Sequence, residues 1–157
     1  MNILVTGAGG LIGSETSRFF LNKGATVIGI DNNKRKYFFG EMGDISGNLN
    51  NLVSFDRFHN IEIDITDKVA LFKVFKNFGP FDLIVHTAAQ PSHDWAKKDP
   101  ITDFKVNAFG TLNLLEAFRV NSPNGSFIFT STNKVYGDLP NTLPLTENEF
   151  FFVPPKL

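Results

Sequence analysis

The sequence predicts an α/β protein built on a doubly wound parallel sheet with strand order 3-2-1-4-5. Two observations carry that expectation. Along the chain, short apolar runs alternate with stretches whose apolar residues recur at helical spacing. The first apolar run, Ile3-Leu4-Val5, leads into a glycine-rich turn, Thr6-Gly7-Ala8-Gly9-Gly10-Leu11-Ile12-Gly13, and a second run ends on Asp31. Right-handed crossovers between parallel strands leave few other arrangements.

Each element has a local reason. The first strand is 2–6, and a helix over 11–23 repeats Ile12, Phe19 and Phe20 on one face before stopping at Gly24. The second strand is 26–30. Residues 32–58 form a polar excursion whose aromatics Tyr37, Phe38 and Phe39 argue for a partly helical segment folded over one end of the sheet. The third strand is 60–65. Thr66 or Asp67 caps the next helix, whose apolar face is Leu71, Phe72, Phe75 and Phe78 and which Gly79-Pro80 ends. A continuous apolar run over 82–87 reads as a strand buried on both faces. A helix over 101–121 follows, Asn124-Gly125 turns the chain, and the fifth strand is 126–131. This gives a dinucleotide-binding domain over 1–138 and a Pro-rich tail over 139–157, with Pro140, Pro144, Pro154 and Pro155 and no convincing helix.

The order of strand, glycine turn, helix, strand and acid is what a βαβ unit needs to hold a dinucleotide. Gly7 allows a sharp turn after the strand, and Gly10 allows backbone to approach a pyrophosphate. Gly13 lets the helix lie close to the sheet, and Leu11 and Ile12 share that turn at a helix N-terminus that attracts negative charge. Asp31, followed by Asn32, can accept hydrogen bonds from adenosine ribose hydroxyls. Its carboxylate would repel a 2′-phosphate, which favours NAD over NADP. The basic run Lys34-Arg35-Lys36 either forms a solvated loop or receives a phosphate.

Composition bounds the possibilities. The chain has 157 residues, 42% of them hydrophobic, and a net charge of −1, which suits a soluble globular domain and gives no electrostatic case for nucleic acid or membrane partners. It has no cysteine, which excludes disulfides and thiol catalysis, and its three histidines make no zinc pattern. No metal is expected. With a strand beginning at residue 2 and no long apolar run, a cytoplasmic location is the expectation.

Gly7, Gly10 and Gly13 follow T-G-x-x-G-x-x-G rather than G-x-G-x-x-G, which resembles the extended short-chain dehydrogenase/reductase family of nucleotide-sugar epimerases and dehydratases. The resemblance implies a Rossmann-type fold, NAD as cofactor and a nucleotide-diphosphate sugar as substrate. His86-Thr87-Ala88-Ala89-Gln90 is similar to the family's H-x-A-[AG] signature, where small residues let the nicotinamide-side ribose pack against backbone. His86 itself is either a satisfied core histidine or a proton carrier. Asp64-Ile65 matches the acidic position beside the adenine; the carboxylate either accepts the adenine amino group or caps the next turn. Asn107, in Val106-Asn107-Ala108-Phe109-Gly110-Thr111-Leu112-Asn113, matches the V-N-x-x-G-T-x-N helix, in which the asparagine supports a proton relay.

Thr130-Ser131-Thr132-Asn133-Lys134-Val135-Tyr136-Gly137 resembles the family's S-S-x-x-x-V-Y-G, which puts the substrate-positioning hydroxyl on Thr132. Asn133 and Lys134, with the segments 35–40 and 90–95, are similar to the CDP-paratose/CDP-tyvelose 2-epimerase group. Lys134 then meets a nucleotide diphosphate, possibly CDP-linked, or only solvates the strand end. The family's general base lies in a Y-x-x-x-K helix, but Tyr37 is followed four residues later by Glu41 and Tyr136 by Pro140. The resemblance ends near Glu147, so the later strands and the substrate domain are expected to be missing. Three functions stay open: the NAD-binding portion of an epimerase, inactive alone and given to self-association or completion by a C-terminal chain; a non-catalytic dinucleotide-binding module; and a fragment of a nucleotide-sugar dehydratase or reductase.

Overall fold

A computed structural model of the chain describes residues 1–138 together with 142, 144, 146, 147, 152 and 153. Five parallel strands form one sheet: β1 (Asn2–Thr6), β2 (Thr26–Ile30), β3 (Phe58–Ile61), β4 (Leu83–His86) and β5 (Ser126–Phe129), in the order β3-β2-β1-β4-β5. This is the order the sequence predicts. β1 lies at the centre, with Ile3, Leu4 and Val5 fully buried, because a strand covered on both faces needs apolar side chains in both directions. One core layer gathers Leu4, Ile28, Ile84, Leu71, Phe75 and Phe81; the other gathers Ile3, Val5, Val27, Leu52 and Val85.

Helix α1 (Leu11–Asn22) corrects the expected apolar face. Ile12 and Phe19 are 56% and 57% exposed, Phe20 packs against the core as expected, and Gly13, Ser14, Ser17 and Leu21 turn inward. Small residues win because the helix packs at close range on the sheet. Ser17 meets its own hydrogen-bonding need by donating to the Gly13 carbonyl (2.8 Å). The polar excursion folds into helices α2 (Lys34–Phe39) and α3 (Ser46–Leu52), joined through a 3-10 turn at Gly40–Gly43. Asn33, with φ 53°, takes the left-handed conformation that asparagine tolerates.

β3 pairs with β2 only from Phe58 to Ile61, earlier than the predicted 60–65, because β2 supplies no register partner beyond Ile30. Asp64 and Ile65 therefore lie in the loop after the strand. Asp67 caps helix α4 (Lys68–Phe78) by accepting from the Ala70 N–H (3.0 Å), and Gly79 closes it. Beyond β4 comes the short helix α5 (His93–Lys98), which the sequence did not reveal. The predicted helix at 101–121 is one continuous helical path of three parts: α6 (Pro100–Phe104), a π-helical turn at Lys105–Gly110 and α7 (Thr111–Asn121). Thr146–Glu147 (β6) and Phe152–Val153 (β7) pair antiparallel; apart from these, Thr142 and Pro144, the expected Pro-rich tail lies outside the described residues. Among the described residues no helix is long and apolar enough to cross a membrane.

Buried Asn113 ties α7 to the site. Its amide donates to the carbonyls of Ile65 (3.2 Å) and Thr66 (3.3 Å), which pins the loop after β3. Asn113→Ala should cost about 1–3 kcal/mol in urea unfolding, because it leaves buried carbonyls without a partner.

Candidate dinucleotide cleft

The strands end along one edge of the sheet, and the glycine turn, the loops after β2 and β3, and the Thr87–Pro91 segment surround a cleft of about 270 Å³ there. Gly7 has φ +70°, and a Cβ on it would stand 2.8 Å from the Ala88 nitrogen. A Cβ on Gly13 would run into the Gly7 carbonyl. Both positions are therefore closed to a larger residue. Gly10 begins α1 without any side-chain cap, so the first-turn N–H groups remain available at the cleft.

Asp31 is held from two sides. Its carboxylate accepts from the N–H of Gly9 (2.9 Å) and of Asn33 (2.9 Å), which ties β2 to the glycine turn. Asp64 resolves into the turn-capping arrangement. One oxygen accepts from the N–H and hydroxyl of Thr66 (2.9 and 2.7 Å); the other accepts from Asn32 (3.0 Å) and pairs with Lys34 (3.1 Å). Desolvation alone would raise the Asp64 pKa, but the Thr66 donors and Lys34 outweigh it and hold the carboxyl below its ordinary value. Lys34 is thus engaged with Asp64 across the cleft rather than forming a merely solvated loop.

Of the residues singled out in the sequence, Gly7, Gly10, Leu11, Ile12, Gly13, Asp31, Asn32, Asp64, Ile65, Ala88 and Ala89 all line this cleft. Gln90 lines an adjoining hollow of about 630 Å³, which Asn107 and Thr132 also border. The Asn107 amide brackets the Gln90 backbone, accepting its N–H (2.8 Å) and donating to its carbonyl (3.0 Å). A second Asn107 N–H reaches Asp103 (3.1 Å). Asn133 and Lys134 enter a 3-10 turn at Asn133–Tyr136, and their side chains lie outside the described residues.

Several contacts at the rim escaped the sequence reading. Phe38 lines the cleft, and its carbonyl accepts from the Trp95 indole N–H (2.8 Å). Tyr37 and Phe38 also lie against the Trp95 ring, with centroids 5.2 and 5.3 Å away. Ile45 lines the cleft, and Asn48 donates to the Gly9 carbonyl (2.9 Å), so the excursion clasps the glycine turn. The aromatic trio 37–39 signalled a docked segment, but no local signal gave its partners.

His86 is a satisfied core histidine. It is 1% exposed, with Thr6 at 2.6 Å from Nδ1 and Thr111 at 2.8 Å from Nε2. Burial lowers its pKa to about 4.

Comparison with known proteins places this geometry. The chain matches the NAD dependent epimerase/dehydratase family over residues 3–155. It is 37% identical over 139 residues to the CDP-paratose 2-epimerase of Salmonella typhi, covering 88% of this chain and 39% of that protein. Two solved structures are also similar. A UDP-glucuronic acid 4-epimerase mutant from Bacillus cereus, in complex with a fluorinated UDP-glucuronic acid and NAD, gives TM-score 0.72 at 31% identity over 98% of this chain and 46% of that one. The UDP-glucose 4-epimerase of Thermus thermophilus in complex with NAD gives TM-score 0.61 at 34% identity over 76% of this chain and 34% of that one.

The fold and cleft define a Rossmann-type dinucleotide domain. The chain belongs to the NAD-dependent epimerase/dehydratase family, within the extended short-chain dehydrogenases/reductases. It spans about two fifths of the curated relative's length.

The buried histidine makes stability depend on pH. Above pH 6.5 it is neutral whether folded or unfolded. Below that, the unfolded chain takes up a proton that the folded chain refuses until about pH 4, so stability falls across this window. His86 should account for a loss on the order of 3 kcal/mol between these limits, read by urea unfolding at stepped pH, and His86→Gln should remove that contribution.

Proposed function

We propose that the chain binds NAD in the glycine-turn cleft and supplies the cofactor half of a nucleotide-sugar epimerase acting on a CDP-linked sugar. The observation that carries this reading is the gathering of four segments distant in sequence, 7–13, 31–32, 64–65 and 88–89, around one cleft, beside the hollow bordered by Asn107 and Thr132. The residues fit the dinucleotide: Gly7 and Gly13 put no Cβ where the turn, α1 and the Thr87–Ala88 segment meet, and α1 starts without a side-chain cap. NAD supplies the capacity to take up hydride and return it. Asp31, fixed by Gly9 and Asn33, retains lone pairs for ribose hydroxyls and opposes a 2′-phosphate. Asn32 and Asp64 border the adenine end, and Ala88 and Ala89 give the nicotinamide-side ribose room to pack.

In the adjoining hollow, Thr132 holds the sugar hydroxyl and Asn107 supports the path of its proton, with Asn133 and Lys134 meeting the diphosphate. A complementing C-terminal half supplies the proton acceptor and the substrate domain. The same half covers β5, an edge strand on which Ile128 and Phe129 are 49% and 55% exposed. Without it, the 157 residues self-associate along that edge. Absence of cysteine accords with a cytoplasmic location.

Calorimetry should show NAD binding roughly tenfold or more tighter than NADP, and Gly13→Ala should abolish both. Tighter binding of NADP, or none of either nucleotide, overturns the reading. With NAD and a CDP-linked sugar, the 157 residues alone should show no epimerisation, since loss of a positioned general base costs on the order of 10²- to 10⁴-fold. Adding the C-terminal half in trans should restore turnover; binding without any restoration would favour the non-catalytic module.

A further inference from the structure

His86 lies at the middle of a hydrogen-bond path whose direction can be read by counting protons. Thr111 has one hydroxyl proton, and it goes to the carbonyl of Asn107 (2.7 Å), which can only accept. The bond between Thr111 Oγ1 and His86 Nε2 (2.8 Å) therefore takes its proton from the ring, which fixes the neutral imidazole with hydrogen on Nε2. Nδ1 is then bare and accepts from the Thr6 hydroxyl (2.6 Å). The Thr6 oxygen in turn accepts from the N–H of Ala88 (3.3 Å). Every bond points the same way: Ala88 N–H to Thr6, Thr6 to His86, His86 to Thr111, Thr111 to Asn107.

The two ends of this path are walls of the site. Ala88 stands against Gly7 and lines both cavities. Asn107 lies in the π-helical turn, an irregularity common at functional sites, and its side chain brackets Gln90. Between them the path crosses β1, β4 and the first residue of α7. Thr6 is fully buried and His86 nearly so. Around the ring stand Phe127 and Phe129 of β5 (centroids 6.2 and 5.6 Å).

We infer that His86 is a positioning residue: its Nε2–H tautomer locks Thr111 to Asn107 and Thr6 to Ala88, holding the two walls in one register. This inference uses the proposed role of the hollow only to give the register a purpose. The hydrogen bonds themselves hold without it.

The test uses nucleotide-free protein at pH 7. Long-range ¹H–¹⁵N correlation should show the His86 proton on Nε2; a proton on Nδ1 overturns the inference. Amide exchange then reads the far end of the path at Gln90, whose N–H is bonded to Asn107 and not to Thr111. Thr111→Val keeps the side chain's shape and deletes the hydroxyl, and should speed Gln90 exchange roughly tenfold, the equivalent of one net hydrogen bond. Thr111→Ser keeps the hydroxyl and loses a methyl, and should leave Gln90 protected. A role in packing alone gives the opposite ranking, with serine the more disruptive. That ranking, or no change at Gln90 in Thr111→Val, overturns the inference. Titration of the same samples with NAD stands apart: failure of the wild-type protein to bind would remove the proposed function and leave the exchange result standing.

Discussion

The site depends on how closely backbone can approach backbone where α1 leaves β1. At Gly7 and Gly13 no Cβ stands between the turn, the helix and the Thr87–Ala88 segment, so three elements meet almost at contact. The inward face of α1 follows from the same constraint. Near the turn the inward positions are Gly13, Ser14 and Ser17, and the larger Ile12 and Phe19 are turned outward. Close packing at the start of the helix thus shapes the cleft and sets small residues on the inward face from Gly13 to Ser17, before Leu21 resumes apolar packing further along.

Much of this was legible in the residues. The glycine turn, the continuous apolar runs and Asp31 each report a local requirement, and the sheet order follows from chirality. Strand ends were less legible: apolar character continues through Ile63 and Ile65, but pairing stops where β2 runs out of partners, and that is a property of another segment. The face of α1 was misread for a related reason. Periodicity identifies a face that could be buried, but only the separation between helix and sheet shows how large its side chains can be.

Polar pairings were the least legible. Asp64 could be placed beside the cleft from its motif, and its bond to Thr66 is local, but its partners Asn32 and Lys34 come from the excursion after β2. The Asn48 contact with Gly9 and the Asn113 contact with Ile65 span 39 and 48 residues, beyond the reach of any local pattern. Such contacts make the walls of the cleft mutually dependent. Helix α7 and the excursion after β2 each hold a neighbour's backbone by a side-chain amide, and the loop after β3 is tied back to the excursion through the Asp64 carboxylate, so directional bonds knit the rim over an apolar floor.

The clasp between α2 and α5 has an optical consequence. The chain contains one tryptophan, and it is Trp95, whose indole is anchored to Phe38, flanked by Tyr37 and covered by the Lys98 ammonium 4.4 Å from the ring. Emission from this protein in the indole band therefore comes from a single place at the mouth of the cleft. The molecule thus carries a built-in optical reporter on the contact between α2 and α5.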